Sequence, residues 1–297
     1  MTDNQESIIY NPPLVVIVGP TASGKTSLAI DLAIKFNGEI ICADSRTVYR
    51  YMNIGTAKPT ADEQALAPHW GIDLVNPGEY FSAADFKQYA LQKISEIGSR
   101  GHVPFLVGGT GLYIDSVILD YNFGAKSDPI FRVKLEGQSL DELYVYCDKH
   151  NIALPENYKN KRYVIRAIES HNFDKKRRLT PVDNTIVVGI ATDKDILKQR
   201  ITQRFEQMLA NGVVQETIML GKNYGWSSDA MKSNIYPLIR DYIDKKISID
   251  DVKKAIVVAD WRLAKRQLTW LRRDKFIQWF QLNEAKKYLV SQLAMRE

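Results

Sequence analysis

The chain has 297 residues, 45% of them hydrophobic, and 40 lysines and arginines against 35 aspartates and glutamates give a formal net charge of +5. That length and apolar content support a sizeable core and exclude a disordered or collagen-like chain. The slight basic excess favours an anionic partner without identifying one. Residues 14–18, the longest apolar run near the start, are far too short to span a bilayer, and residues 1–7 are polar and acidic with no export signal. Two cysteines, Cys42 and Cys147, cannot build a disulfide framework or a four-ligand zinc site, and His69, His102, His150 and His171 show no metal-ligand spacing. A cytoplasmic protein that makes no use of a membrane is expected.

Residues 14–18 (LVVIV) form a short β-branched run with a glycine behind it, the signature of a buried parallel strand. Residues 26–36 follow as a helix, with Leu28, Leu32 and Phe36 four apart, and residues 39–43 as a second strand. Ser82 and Asp85 form a capping box that opens a helix with Phe86, Ala90, Ile94 and Ile97 on one face. A third strand at 103–107 runs into Gly108, Gly109, Thr110 and Gly111. Alternating strands and helices predict an α/β class, a doubly wound parallel sheet. From about residue 121 the pattern becomes helical and richer in tyrosine and charge, ending in the cluster Asp174, Lys175, Lys176, Arg177, Arg178. Residues 185–191 read as a strand again, everything from 194 on as helical, and the last long helix spans about 249–273. The expected organisation is a core in two parts, 1–120 and 185–297, interrupted by a helical insertion at 121–184.

The first chemical motif is Gly19, Pro20, Thr21, Ala22, Ser23, Gly24, Lys25, Thr26, which fits G-x-x-x-x-G-K-[ST] between a strand and a helix. Glycines let backbone N–H groups face a phosphate chain, and the helix N-terminus adds its positive dipole end. Lys25 is a mobile cation for a terminal phosphate, and Thr26 offers a hydroxyl to Mg²⁺. The motif alone does not separate a nucleoside triphosphate from another diphosphate. Asp44, followed by Ser45, Arg46 and Thr47, stands where the second strand ends, the end at which open α/β sheets bind ligands. Its carboxylate can hold a metal, act as a base, or simply cap the next helix.

Five further segments follow the phosphate loop in order: Ala43–Arg46 (ADSR), 53–59 (NIGTAKP), 107–113 (VGGTGLY), then 200–209 (RITQRFEQML) and 264–272 (AKRQLTWLR). Together they resemble the bacterial tRNA dimethylallyltransferases, the tRNA isopentenyltransferase family, from about residue 14 to 273. The resemblance implies transfer of the dimethylallyl group of dimethylallyl diphosphate to N6 of the adenosine 3′ of the anticodon, position 37 of tRNA, with release of diphosphate. An exocyclic adenine amine is a poor nucleophile, so a base is needed as its bond to carbon forms, and Asp44 is the placed candidate. Lys25, Mg²⁺ on Thr26 and a further arginine, taken as Arg204, are expected to stabilise the leaving charge. Thr110 is expected beside the target adenosine, which must be flipped out of its loop to reach the pocket. The resemblance also assigns RNA contacts to Asp44, Ser45, Arg46, Thr47, Thr110 and Arg132, and to Arg162, Tyr163 and Arg166 in the insertion. Two departures stand out. Tyr163 occupies a position where an arginine is expected, and Asn234-Ile-Tyr236-Pro237 replaces a Gly-Tyr-cation segment, which puts one RNA contact in question. A monomer is expected.

Between residues 253 and 275 there are eight basic residues against Asp260 and Asp274. Val257, Trp261, Ala264, Leu268 and Leu271 recur at helical spacing and are expected to face the core, leaving a basic opposite side. Lys265, Arg266, Gln267 and Arg272 complete the expected RNA contacts. Rival readings are a small-molecule kinase with the same phosphate loop, an RNA-binding module without catalysis, and an isopentenyltransferase for free adenine nucleotides. Stem-loop affinity should fall steeply with salt through counterion release, and Arg266→Ala should flatten that slope. An unchanged slope in a filter-binding titration would place the RNA elsewhere.

Overall fold

The computed structural model describes residues 9–123, 128–170 and 177–296. It divides into two compact units, one built from the chain before residue 121 and after residue 178, the other from residues 121–178. The main unit opens with β1 (Ile9–Val18), α1 (Lys25–Lys35), β2 (Gly38–Ala43), α2 (Ala61–Leu66), β3 (His69–Trp70), α3 (Ala83–Ser99), β4 (Val103–Gly108) and α4 (Gly111–Ile118). The second unit holds α5 (Pro129–Glu136), α6 (Leu140–Lys149) and α7 (Lys161–Glu169). The main unit resumes with β5 (Asp183–Ile190), α8 (Lys194–Ala210), α9 (Val213–Tyr224), α10 (Ile235–Ile243), α11 (Ile249–Leu271), β6 (Gln278–Phe280) and α12 (Leu282–Ala294).

The strands form one parallel sheet in the order β3-β2-β4-β1-β5-β6. Its centre is β1, where residues 14–18 have no exposed surface. A strand buried on both faces must be apolar throughout, which is why this run shows no alternation. Val15 and Ile17 join a core with Leu28 and Leu32 of α1 and Ala285, Leu289 and Leu293 of α12. The helix α3 begins at the expected capping box, Ser82 and Asp85 exchanging side-chain and backbone bonds, and buries Phe86, Ala90, Ile94 and Ile97.

Three expectations are corrected. The segment after residue 194 is not wholly helical: Gln278–Phe280 pairs with Val188–Ile190 as the edge strand β6, too short to show a period. Likewise α2 and β3 were not anticipated. The insertion ends at residue 178 rather than 184, because the Val182 N–H already bonds the Ile118 carbonyl at 2.8 Å and β5 begins at Asp183. Of the expected charge cluster at its end, Asp174, Lys175 and Lys176 lie outside the described residues.

The second unit has its own small core of Leu135, Leu143, Cys147, Ile152, Val164, Ile165 and Ile168. Arg132 reaches Glu169 at 3.2 Å and Arg166 reaches it at 3.4 Å, so both are built into an ion-pair network around one buried carboxylate. Arg162 and Tyr163 are exposed on the first turn of α7.

A buried carboxylate also fixes the segment 53–59. Glu216 of α9 accepts from the backbone N–H groups of Asn53, Ile54 and Gly55, each at 2.8 Å, and from the Tyr236 hydroxyl at 2.8 Å. Burial, reinforced by that carboxylate, pushes the Tyr236 hydroxyl up, so it stays protonated and donates. Tyr236 is fully buried, so it is a structural residue and not an RNA contact. Glu216→Ala strands four donors and should cost about 3 kcal/mol in urea unfolding, whereas Tyr236→Phe should cost about 1 kcal/mol. Equal losses would refute the hub.

Candidate active site

At the carboxyl end of β1 the chain turns from extended to helical within residues 19–24. Gly24 makes the turn with φ 91°, and Ala22 also takes a left-handed conformation, φ 62°. The loop backbone thereby wraps the N-terminus of α1, where unpaired N–H groups concentrate. Lys25 folds back over the loop, its Nζ donating to the Pro20 carbonyl at 2.7 Å and the Ser23 hydroxyl at 3.4 Å. Loss of water around the buried ammonium is the main reason it is pushed down to about 8, with the Asp44 charge opposing and the Arg204 charge adding.

Side chains from two distant helices brace this loop. Arg204 of α8 donates from Nη1 to the Thr21 hydroxyl at 2.8 Å and from Nη2 to Asp260 of α11 at 2.5 Å. Gln267, two turns further along α11, accepts from the Thr21 N–H at 2.8 Å. Arg200, one turn before Arg204, donates to the Ser23 carbonyl at 3.2 Å. Gly109 leaves room for this contact: a β-carbon would meet the Gln267 amide nitrogen at 2.3 Å and push that side chain off Thr21.

The neighbouring strand ends supply the other wall. Asp44 follows β2, and its Oδ1 accepts from the Arg46 N–H at 2.8 Å, which orients the carboxylate. Among the described residues its second oxygen accepts no hydrogen bond. Thr110 follows β4, and its hydroxyl oxygen accepts from the Ser45 N–H at 3.1 Å, leaving its proton to donate. Thr47 is buried and donates to the Asp44 carbonyl at 3.3 Å, bracing the turn at this wall of the cleft. Cys42 lines the same wall, but burial pushes its thiol up to about 12, and it stays neutral.

These walls enclose a cleft of about 750 Å³ that gathers Thr21 to Thr26, Asp44 to Thr47, Thr110, Arg204, Arg266 and Gln267. Gly19 and Pro20 carry the loop from behind. Lys265 and Arg272 are exposed at α11 and just beyond its end. Arg132, Arg162, Tyr163 and Arg166 belong to the other unit. Arg200, Asn234 and Asp260 also line the cleft and were not expected as site residues. The four-residue spacing of Arg200 and Arg204, which puts both on one helical face, was the available signal for the first. Asp260 was counted only as a charge opposing the basic segment. The buried face of α11 is Val252, Ile256, Asp260, Ala264 and Leu271, so the expected face is rotated and Val257 and Trp261 are only half-buried.

The exposed Thr26 hydroxyl suits Mg²⁺ held chiefly by phosphate and water, and Asp44 offers a further hard oxygen in the same cleft, where the Asp260 carboxylate is taken by Arg204. Among the described residues no group of three or more His, Cys, Asp and Glu could hold a metal unaided, and no helix is long and apolar enough to cross a membrane.

An anion in the cleft stabilises protonated Lys25. Below pH 8 the cation is already present, so affinity for inorganic diphosphate should be greatest there and fall as pH rises past 8, with proton uptake on binding between about pH 8 and 10. Calorimetry in buffers of different ionisation enthalpy measures that uptake. Equal proton uptake at pH 9 by wild type and Lys25→Met, for which the titration of diphosphate itself is the same, would separate Lys25 from the anion.

A family profile described as IPP transferase matches residues 47–274. The tRNA dimethylallyltransferase of Thermoanaerobacter sp. (strain X514) is 40% identical over 298 residues, covering 93% of both chains. That of Bacillus subtilis (strain 168) is 38% identical over 290 residues, covering 91% of each. The crystal structure of the tRNA isopentenylpyrophosphate transferase from Bacillus halodurans is similar at 35% identity, with a TM-score of 0.72 over 95% of this chain and 97% of the other. With its parallel sheet, phosphate loop and near-complete coverage by these relatives, the chain belongs to the IPP transferase family, the tRNA dimethylallyltransferases.

Proposed function

We propose that this protein is a cytoplasmic, monomeric enzyme that transfers the dimethylallyl group of dimethylallyl diphosphate to N6 of adenosine 37 of tRNA. The observation that carries the reading is a single cleft with a phosphate loop and two cations on one wall and Asp44 with Thr110 on the other. The first wall suits a diphosphate leaving group, the second an amine that must lose a proton.

In this reading Lys25, Arg204 and the loop N–H groups hold the diphosphate and take up the charge that grows on it as the C1–O bond breaks. The electron pair leaves with diphosphate. The N6 lone pair forms the new bond to C1, and the N6 proton passes to the open oxygen of Asp44. The Thr110 hydroxyl, fixed by Ser45, donates to the adenine edge and orients it. Thr26 is the residue that would hold Mg²⁺ together with the phosphates, and the metal, when bound, would neutralise diphosphate charge. Asp44 is kept as the base because it lines the cleft with one oxygen that, among the described residues, accepts no hydrogen bond, while Thr26 and the phosphates can already seat a metal. Arg46, Arg266, Lys265 and Arg272 would take RNA phosphates around the cleft, and Arg162 and Tyr163 are candidates for the anticodon loop. The target base must leave its stack to reach Asp44.

Incubating the protein with Mg²⁺, dimethylallyl diphosphate and an anticodon stem-loop should add one isoprenoid mass to the adenosine 3′ of the anticodon. Stabilisation by ATP in place of dimethylallyl diphosphate would favour the kinase reading. Asp44→Asn keeps shape but removes proton affinity, and single-turnover transfer should fall by roughly 10²–10⁴-fold. The defect should stay flat across a Mg²⁺ titration while both substrates still bind. Substantial rescue by metal would move Asp44 from base to metal ligand.

A further inference from the structure

Asp260 places a carboxylate in the cleft that is built to attract an anion. It is buried, on the inner face of α11, and both oxygens are engaged. Oδ2 accepts from Arg204 Nη2 at 2.5 Å, and Oδ1 accepts from the Asn234 amide at 2.8 Å. Arg204 in turn uses its other terminal nitrogen on the Thr21 hydroxyl of the phosphate loop. Thr21 is tied again, through its backbone N–H, to Gln267 on the same helix.

Charge alone argues against such a residue. A carboxylate near a diphosphate repels it, and a bystander aspartate there weakens binding. The geometry gives it a different task. Arg204 and Lys25 are two cations crowded into one cleft, and the charge of Arg204 already lowers the pKa of Lys25. Unpaired, the guanidinium is free to swing away from its like-charged neighbour and across the loop carbonyls. A guanidinium is planar and its donors have a fixed fork, so anchoring one nitrogen sets the direction of the others. Asn234 fixes the far oxygen of the carboxylate, so the anchor itself cannot rotate.

We propose that Asp260, held by Asn234, is a positioning residue that aims Arg204 at the diphosphate, and that its benefit through Arg204 exceeds its own repulsion of the anion. The proposal rests on the reading of the cleft as a diphosphate site. It makes a prediction of sign. With Arg204 present, Asp260→Asn removes the anchoring charge and affinity for Mg²⁺–diphosphate should fall about tenfold, the range of a charged hydrogen bond. With Arg204 replaced by Gln, the same change removes only repulsion, and affinity should stay level or rise. Asn234→Ala, which leaves every charge in place, should weaken binding in the Arg204 background and do nothing in the Arg204→Gln background.

The experiment is a double-mutant cycle on full-length protein. Inorganic diphosphate with Mg²⁺ is titrated calorimetrically into wild type, Asp260→Asn, Asn234→Ala, Arg204→Gln and the two double variants, with thermal melts to confirm folding. Reversal or loss of the Asp260→Asn effect when Arg204 is absent supports the assignment. Tighter binding by Asp260→Asn in the wild-type background, or the same loss in both backgrounds, overturns it. Failure of the wild type itself to bind diphosphate overturns the functional reading, and this assignment with it.

Discussion

The site depends on holding a loop of backbone open toward ligand while two cations, Lys25 and Arg204, are both held against it. A loop in this state gains nothing from the hydrophobic effect, and its N–H groups and ammonium repel one another's positive ends. It persists because both flanks are immobile. Behind it lies the fully buried centre of β1, and above it the side chains of α8 and α11 tie Thr21 and Ser23 from outside. The cost of preorganising a site for an anion is thus carried by elements nearly two hundred residues or more away in the chain.

Much of this was legible in the sequence, and the reason is locality. The phosphate loop, the strand-end Asp44 and the Ser82 capping box are each written within a few residues, where bond geometry leaves little choice. Contacts that close over long distances in sequence left no such trace. Asp260 sits in a strongly basic stretch and looked like dilution of its charge, and only the approach of α8 shows that it answers Arg204. Its burial also turned the inner face of α11 away from the purely apolar stripe expected. Tyr236 illustrates the converse. A tyrosine in a departing motif invited an RNA role, yet its hydroxyl closes a buried carboxylate hub. The strand β6 escaped notice because three residues cannot display a period.

The two units divide their labour by composition. The main unit gathers Lys25, Arg204 and Arg266 around the cleft. The inserted unit turns Arg132 and Arg166 onto its own carboxylates, both onto the buried Glu169 and Arg132 also onto Glu136, and leaves Arg162 and Tyr163 exposed on α7. An arginine in a helical insertion therefore cannot be counted as an RNA contact from its sequence position alone, since part of the basic charge stabilises the insertion itself.

The spacing of Asp260 and Gln267 has a consequence for how this chain can change over evolution. Seven residues turn an α-helix through about 700°, within about 20° of two full turns, so both side chains leave α11 along one line, Asp260 to Arg204 and Gln267 to Thr21. Substitution along the outer side of α11 preserves that line. A single-residue insertion or deletion between them rotates one against the other by about 100°, carrying Gln267 off Thr21 or Asp260 off Arg204. Length variation should therefore accumulate in the connections of this fold and be absent from these two turns, even where the amino acids around them drift freely.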